Sequence, residues 1–206
     1  MSSPAFSSAA SRSRGRPREF DIDAALDKSV RIFRERGYHA TSIADLTQAM
    51  ELASGSVYKA FKDKRAVFLA AFDREGRRRR EQLLRLLESA KFGWERMRLT
   101  LTFIAESSYG VEGKRGCLIV GTAAELATFD AEVAQRVTAT LRQTETLMVD
   151  LIRQGQTDGS ISTGIDNKVT ARVMLCLLQG MRVIGKTGRK RTAMRAVADA
   201  AMKLLS

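Results

Sequence analysis

Apolar residues recur at three- and four-residue intervals along most of the chain, which predicts helices throughout. Ile22, Leu26, Val30 and Phe33 share one face with Ala25 beside them, and Asp21 is placed to open that helix. Gly37 predicts its stop, with Tyr38 and Ala40 packing the corner that follows. Two short helices joined by a tight turn come next, between Thr41 and Lys64. Thr41 or Ser42 is positioned to cap the first. With Ser42 at the cap, Asp45 falls at the third helical position, a capping-box pattern with Asp in place of Glu. Ile43, Leu46 and Met50 make the apolar face, and Glu51, Leu52 and Ala53 make the turn, with Leu52 as its buried plug. Ser54 is the expected cap of the second helix. Val57 and Phe61, four apart, anchor it and leave Gly55, Ser56, Tyr58, Lys59 and Lys62 outward.

A longer helix is expected from about Lys64 towards Ala90. Val67, Phe68, Ala71 and Phe72 give it one apolar patch and Leu83, Leu84, Leu86 and Leu87 a second. Between them lies Gly-Arg-Arg-Arg-Arg, and the run Arg77 to Arg80 reads as a solvated face rather than a DNA contact. Phe92, Gly93 and Trp94 mark a break. A helix from Glu95 to Ser108, a glycine-rich loop from Tyr109 to Gly116 and a short apolar helix after Cys117 follow. Asp130 caps a long helix ending near Gly155, and Gln156 to Asp166 is a connector. Lys168 to Lys186 and Ala193 to Leu205 are the last two helices. Together they carry more apolar surface than one bundle layer hides, and Gly180 allows close approach of another helix. Pairing with a second copy is the expected use of that surface, with a plain buried core as the other reading.

The 206 residues are 44% hydrophobic with two prolines, which fits an all-α chain with a sizeable core. A net charge of +12 and a pI near 10.3 call for an anionic partner: DNA, RNA or a membrane surface. No apolar run reaches the ~20 residues of a membrane span and the N-terminus has no continuous apolar signal core, so a cytoplasmic protein is expected. Two cysteines and one histidine exclude a disulfide scaffold, a zinc site of the usual kind and a His-based triad. Asp21 with Asp23, and Glu125 with Asp130, lack an accompanying base or metal set. No enzyme activity, cofactor or metal is expected.

The second short helix has small polar residues at its start and suits a major groove, which is about 12 Å wide and is read by residues near a helix N-terminus. Gly55 and Ser56 permit close approach, and Tyr58 is suited to a thymine methyl or a phosphate. Lys59, Lys62 and Lys64 bring positive charge to the sugar-phosphate chain. Residues 1–18 form a Ser/Ala/Arg-rich arm in which nothing can pack, so disorder is expected. Its Arg-Gly-Arg-Pro unit, with Arg14 and Arg16, resembles an AT-hook core. Two readings stand for it: insertion into an A·T-rich minor groove, or a solvated basic tail.

The run R-I-F-R-E-R-G-Y-H-A-T-S-I-A-D-L-T-Q-A-M-E-L-A-S-G-S-V-Y-K-A-F-K-D-K-R-A-V-F resembles the N-terminal signature of the tetracycline-repressor (TetR) family of bacterial transcription regulators. The resemblance implies an all-α chain: a three-helix headpiece within residues 19–79 and a helical effector-binding and dimerisation domain over 80–206. It implies a homodimer, paired through the two C-terminal helices, that binds a palindromic double-stranded operator and is released by a small molecule. By position, Thr41 and Ser42 start the second helix, Gly55, Ser56, Val57 and Tyr58 to Phe61 form the recognition helix, and Lys62 and Lys64 hold phosphates. Ala60 departs from the His or Tyr of many members.

The segment R-G-C-L-I-V-G-T-A-A-E-L resembles the NemR-type, electrophile- and oxidant-sensing branch and copper-responsive relatives. Cys117 stands where a helix begins, near Lys114 and Arg115, which favours thiolate. Sensor and small core residue are its two readings. Cys176 reads as packing. Trp94, Phe103 and Tyr109, with Met97, Phe129 and Met148, are candidates to line an effector cavity. The competing function is nonspecific binding to the nucleoid or a membrane surface.

Overall fold

The computed structural model describes residues 20–206. Ten α-helices follow one another: α1 (Ile22–Arg36), α2 (Ile43–Met50), α3 (Ser54–Ala60), α4 (Lys64–Leu87), α5 (Gly93–Glu106), α6 (Gly110–Arg115), α7 (Leu118–Glu125), α8 (Ala131–Asp158), α9 (Asn167–Gly185) and α10 (Arg191–Met202). A single 3-10 turn, Lys203–Leu205, closes the described chain. The described residues are all-helical, without strands.

Local chemistry sets most of the boundaries. Asp21 caps α1 by accepting from the N–H groups of Asp23 and Ala24, and Gly37 ends it at φ 81°. The Ser42–Asp45 capping box is complete in both directions. Asp63, Asp130 and Asp166 cap α4, α8 and α9 in the same way. Glu51, at φ 58°, makes the left-handed residue that turns α2 into α3. The expected cap Ser54 is instead the first residue of α3: the cap position is Ala53, whose methyl group cannot accept a hydrogen bond.

Further boundaries differ from expectation: α5 begins at Gly93, inside the expected break, and ends at Glu106, and α10 begins at Arg191. The glycine-rich stretch from Tyr109 to Gly116 is a helical turn, α6, and not a loop. Its neighbours hold it: Gly113 and Gly185 both lie against the Ser108 backbone, where an added Cβ would fall within 2.6 Å and 2.4 Å of backbone atoms. The helix α8 runs on through Gly155 to Asp158, and Gly159 at φ 79° ends it. Gly155 is a packing residue there, because Gly93 and Ile161 close on it from two sides.

Two apolar cores result, and they do not follow the chain in order. The first joins α1, α2, α3 and the first half of α4 to Leu118 and Leu126 around α7 and to Val133 and Val137 of α8. The second joins Leu83 and Leu87 of α4 to α5, the second half of α8, α9 and α10. Helices α4 and α8 thus pass through both cores. Among the described residues, no helix is long and apolar enough to cross a membrane.

Candidate nucleic-acid interface

The short α3 is held by one buried residue. Val57 is 1% exposed in the first core, and Phe61 packs partly buried against the same cluster. Fixing Val57 inward turns Tyr58 outward, where it is 54% exposed. Gly55, Lys59 and Lys62 are exposed beside it, Ser56 is half-buried, and no atom lies within 4 Å of the place a Gly55 Cβ would occupy. The result is a narrow ridge, small at its start and cationic at its end.

Several expected contact residues have other work. Val57 is scaffold, since its burial removes it from any ligand. Thr41 is also buried, and its hydroxyl donates to the Gly37 carbonyl at 2.6 Å. Lys64 turns back into the headpiece. Its Nζ donates to the carbonyls of Tyr38 and Thr41, both at 3.0 Å, and lies 4.2 Å from the Tyr38 ring centroid. It stitches α4 to the α1–α2 corner instead of projecting a free charge. Ser42 is exposed, yet its hydroxyl is engaged with Asp45 in the capping box. Arg14 and Arg16 lie outside the described residues.

The headpiece is tied to the rest by ionic contacts. The Arg34 side chain, 8% exposed, donates from Nε to the Gly116 carbonyl at 2.8 Å, from Nη1 to the Glu112 carboxylate at 2.9 Å and from Nη2 to the Glu112 carbonyl at 3.2 Å. Glu125 accepts from the backbone N–H groups of Tyr38 and His39 at 2.9 and 2.6 Å. Arg65 forks onto Asp130 and reaches Glu132. Hydrogen bonding to Arg65 above all holds the Asp130 carboxyl down at about 2. Glu125 and Asp130 thus tie distant parts of the chain together.

Between the two cores lies a cavity of about 550 Å³, walled by α4, α5, α8 and α9 and touched by Ile119 of α7. Phe103 lines it as expected. Trp94 and Tyr109 do not line it; the Tyr109 hydroxyl donates to Glu106 instead. Met97 and Met148 are fully buried in the second core, while Phe129 is 86% exposed. The arginine run is not a uniformly solvated face. Phe72, Gly76, Arg79 and Leu83 share one side of α4, so Arg79 is carried inward. Cys117, at the N-cap of α7, is half-buried in a separate crevice with Arg34, Glu125 and Lys186. Cys176 is exposed on α9 and is not a core residue.

The sequence matches the profile described as "Bacterial regulatory proteins, tetR family" over residues 25–71 and that described as "Tetracyclin repressor-like, C-terminal domain" over residues 93–201. The chain belongs to the TetR family. TetR-family proteins are DNA-binding transcriptional regulators and not enzymes. The chain is 28% identical over 200 residues to the HTH-type transcriptional repressor ComR of Escherichia coli K12, covering 94% of this chain and 92% of that protein. It is 30% identical to a cysteine-substituted form of the TetR-family regulator CifR, solved with 26-base-pair double-strand operator DNA; that match covers 93% of this chain and all of CifR, at a TM-score of 0.78. A TetR regulator from Chloroflexus aurantiacus, 21% identical with 88% and 92% of the two chains covered, shares the fold at a TM-score of 0.80.

Proposed function

We propose that this TetR-family regulator is a repressor that binds a palindromic operator as a homodimer, reads it through α3, and lets go when a small molecule fills the cavity between its cores. The observation that carries the reading is the outward ridge of Gly55, Tyr58 and Lys59 on a helix pinned from behind by Val57, with Lys62 exposed just past its end. Gly55 lets the backbone close on base edges, Tyr58 reaches a base or phosphate, and Lys59 and Lys62 neutralise phosphates. The CifR complex with operator DNA supports operator binding, and the similarity to the repressor ComR supports repression.

Dimerisation is supported by a surplus apolar face. Val169, Val173, Val183 and Ile184 of α9 and Leu204 beyond α10 are more than 40% exposed, and the space beside Gly180 is open. Such a face suits a second copy of the chain, which would set two α3 ridges about one helical turn of DNA apart. The cavity is placed to control that spacing because α4 and α8 line it and also run into the headpiece core. Cys117 lies outside this cavity. The geometry therefore favours a bound effector over modification of that thiol.

Replacing Tyr58 or Lys62 by alanine is expected to weaken operator binding at least tenfold in a mobility-shift assay, while thermal unfolding stays within about 0.5 kcal/mol of wild type, as for exposed positions generally. Wild-type affinity in both variants would refute recognition through α3.

A further inference from the structure

The cavity between the cores has an unbalanced charge. Arg77, Arg79 and Arg80 of α4 and Arg182 of α9 line it, and among the described residues none of the four has a carboxylate at salt-bridge distance. This contrasts with the headpiece seam, where Arg34, Arg65, Arg74 and Arg115 are all paired. Asp73 also reaches the cavity, but it is engaged by Arg136, which Glu132 holds as well. The Nε of Arg136 is buried with no partner.

Arg79 is the deepest of the four. Its guanidinium lies over the Phe103 ring at 4.8 Å, and Nη2 donates to Ser107 Oγ at 2.9 Å. Ser107 is its one hydrogen-bond partner among the described residues, so most of its five N–H donors are unused. Burial pushes Arg79 down to about 10, Arg182 pushes it the same way, and the Glu75 carboxylate, itself held by Arg78, acts against them. A desolvated cation with a second cation beside it and most of its donors unused is costly unless an anion joins it. The rest of the wall mixes apolar side chains, Leu83, Ile104, Ile119, Leu147 and Leu178 among them, with the uncharged polar Thr100, Thr140, Gln143 and Thr144.

We propose that the cavity takes an amphipathic organic anion, with its acidic head between Arg79 and Arg182 and its apolar body against Leu83, Ile104, Leu147 and Leu178. The assignment rests on reading this cavity as the effector site, and it names the class of effector. The head sits on α4, so an occupied cavity draws together α4 and α9, one of which runs into the headpiece. A planar guanidinium offers a carboxylate, sulfonate or phosphate two parallel N–H donors, which a neutral ligand cannot use.

The test compares two dyes with one ring skeleton: anilinonaphthalene sulfonate and the uncharged N-phenylnaphthylamine. Fluorescence titration of the full-length protein without DNA is expected to show the sulfonate binding at least tenfold more tightly. Decanoate should displace it and decanol should not. Arg79→Met and Arg182→Met should each weaken the sulfonate at least tenfold and leave the neutral dye unchanged. Arg79→Met should also unfold at a higher temperature than wild type, because it removes an unpaired charge. Equal affinity for the two dyes, or full sulfonate affinity in both variants, would overturn the proposal. So would a lower unfolding temperature for Arg79→Met, which would make that side chain structural. Operator release is scored separately. Arginine-dependent decanoate binding that leaves the operator bound supports the anion site and overturns only the effector reading.

Discussion

Gly93→Ala is expected to destabilise the protein by about 3 kcal/mol or more, a severe effect for adding one methyl group. The Cβ would stand 2.2 Å from the backbone nitrogen of Gly155, 2.5 Å from its Cα and 2.5 Å from the Leu151 carbonyl oxygen. These are main-chain atoms of α8, and no rotamer change moves them. The helix α5 starts at this contact: the Gly93 N–H donates to Asp158 at 2.8 Å and the Trp94 N–H to Ser160. Separating the backbones therefore breaks the crossing and also uncaps α5. For a chain of this size each kcal/mol shifts the midpoint by about 2–4 °C, so thermal unfolding should fall by roughly 6–12 °C. Gly76→Ala is the matched control. Nothing lies within 4 Å of its Cβ position and α4 is continuous through it, so it should gain up to about 1 kcal/mol from helix propensity.

The second large effect is expected at the seam. Arg34→Met removes three hydrogen bonds that tie α1 to α6 and to Gly116, two of them to carbonyl oxygens and one to a carboxylate. Methionine replaces the aliphatic stem and none of the donors. The loss is about 2–3 kcal/mol, set by the charge-assisted bond and by carbonyls left without a donor. Glu112 keeps Arg115 as a partner, which limits the penalty. Hydrogen exchange should locate the effect in α1, α6 and the Gly116 turn, with α9 and α10 protected as in wild type. Uniform loss of protection across both cores would contradict this placement.

Local signals carried the sequence reading furthest where the interacting groups are neighbours. Asp21, Ser42 with Asp45, Asp130 and Gly37 announce their roles within three residues, and each acts as expected. The Leu46, Met50 and Val57 pattern located the headpiece core for the same reason. Groups whose partners are distant were misjudged. The six residues of α6 include two glycines, and a propensity argument makes them a loop. What holds them as a helix is Arg34, 78 positions away from Glu112, and the packing of Gly113 and Gly185 on Ser108. The structural role of Glu125 had no local signal, because its two donors are backbone N–H groups of the distant α1–α2 corner.

Arg79 is different, because a usable signal existed. Phe72, Gly76, Arg79 and Leu83 fall at helical spacing, so the apolar face that was read at either end of α4 passes through Arg79. Reading Arg77 to Arg80 as one charge block hid that phase. Lys64 offered no such signal: its two carbonyl acceptors exist only once the α1–α2 corner has folded beside α4. Cys176 illustrates the limit of an apolar stretch. Ala171, Met174, Leu178 and Met181 take the buried side of α9, and Val173, Cys176 and Val183 take the exposed side.

Sequence-specific reading by a paired α3 is best tested by competition at fixed ionic strength. A labelled duplex carrying the palindrome nearest the protein's own gene is bound, then challenged with the same duplex unlabelled or with a scrambled one. Specific recognition predicts that the scrambled duplex competes at least about 1,000-fold less well. Equal competition by both duplexes, with affinity that simply collapses as salt rises, would mean that the basic charge alone does the binding and would contradict the account.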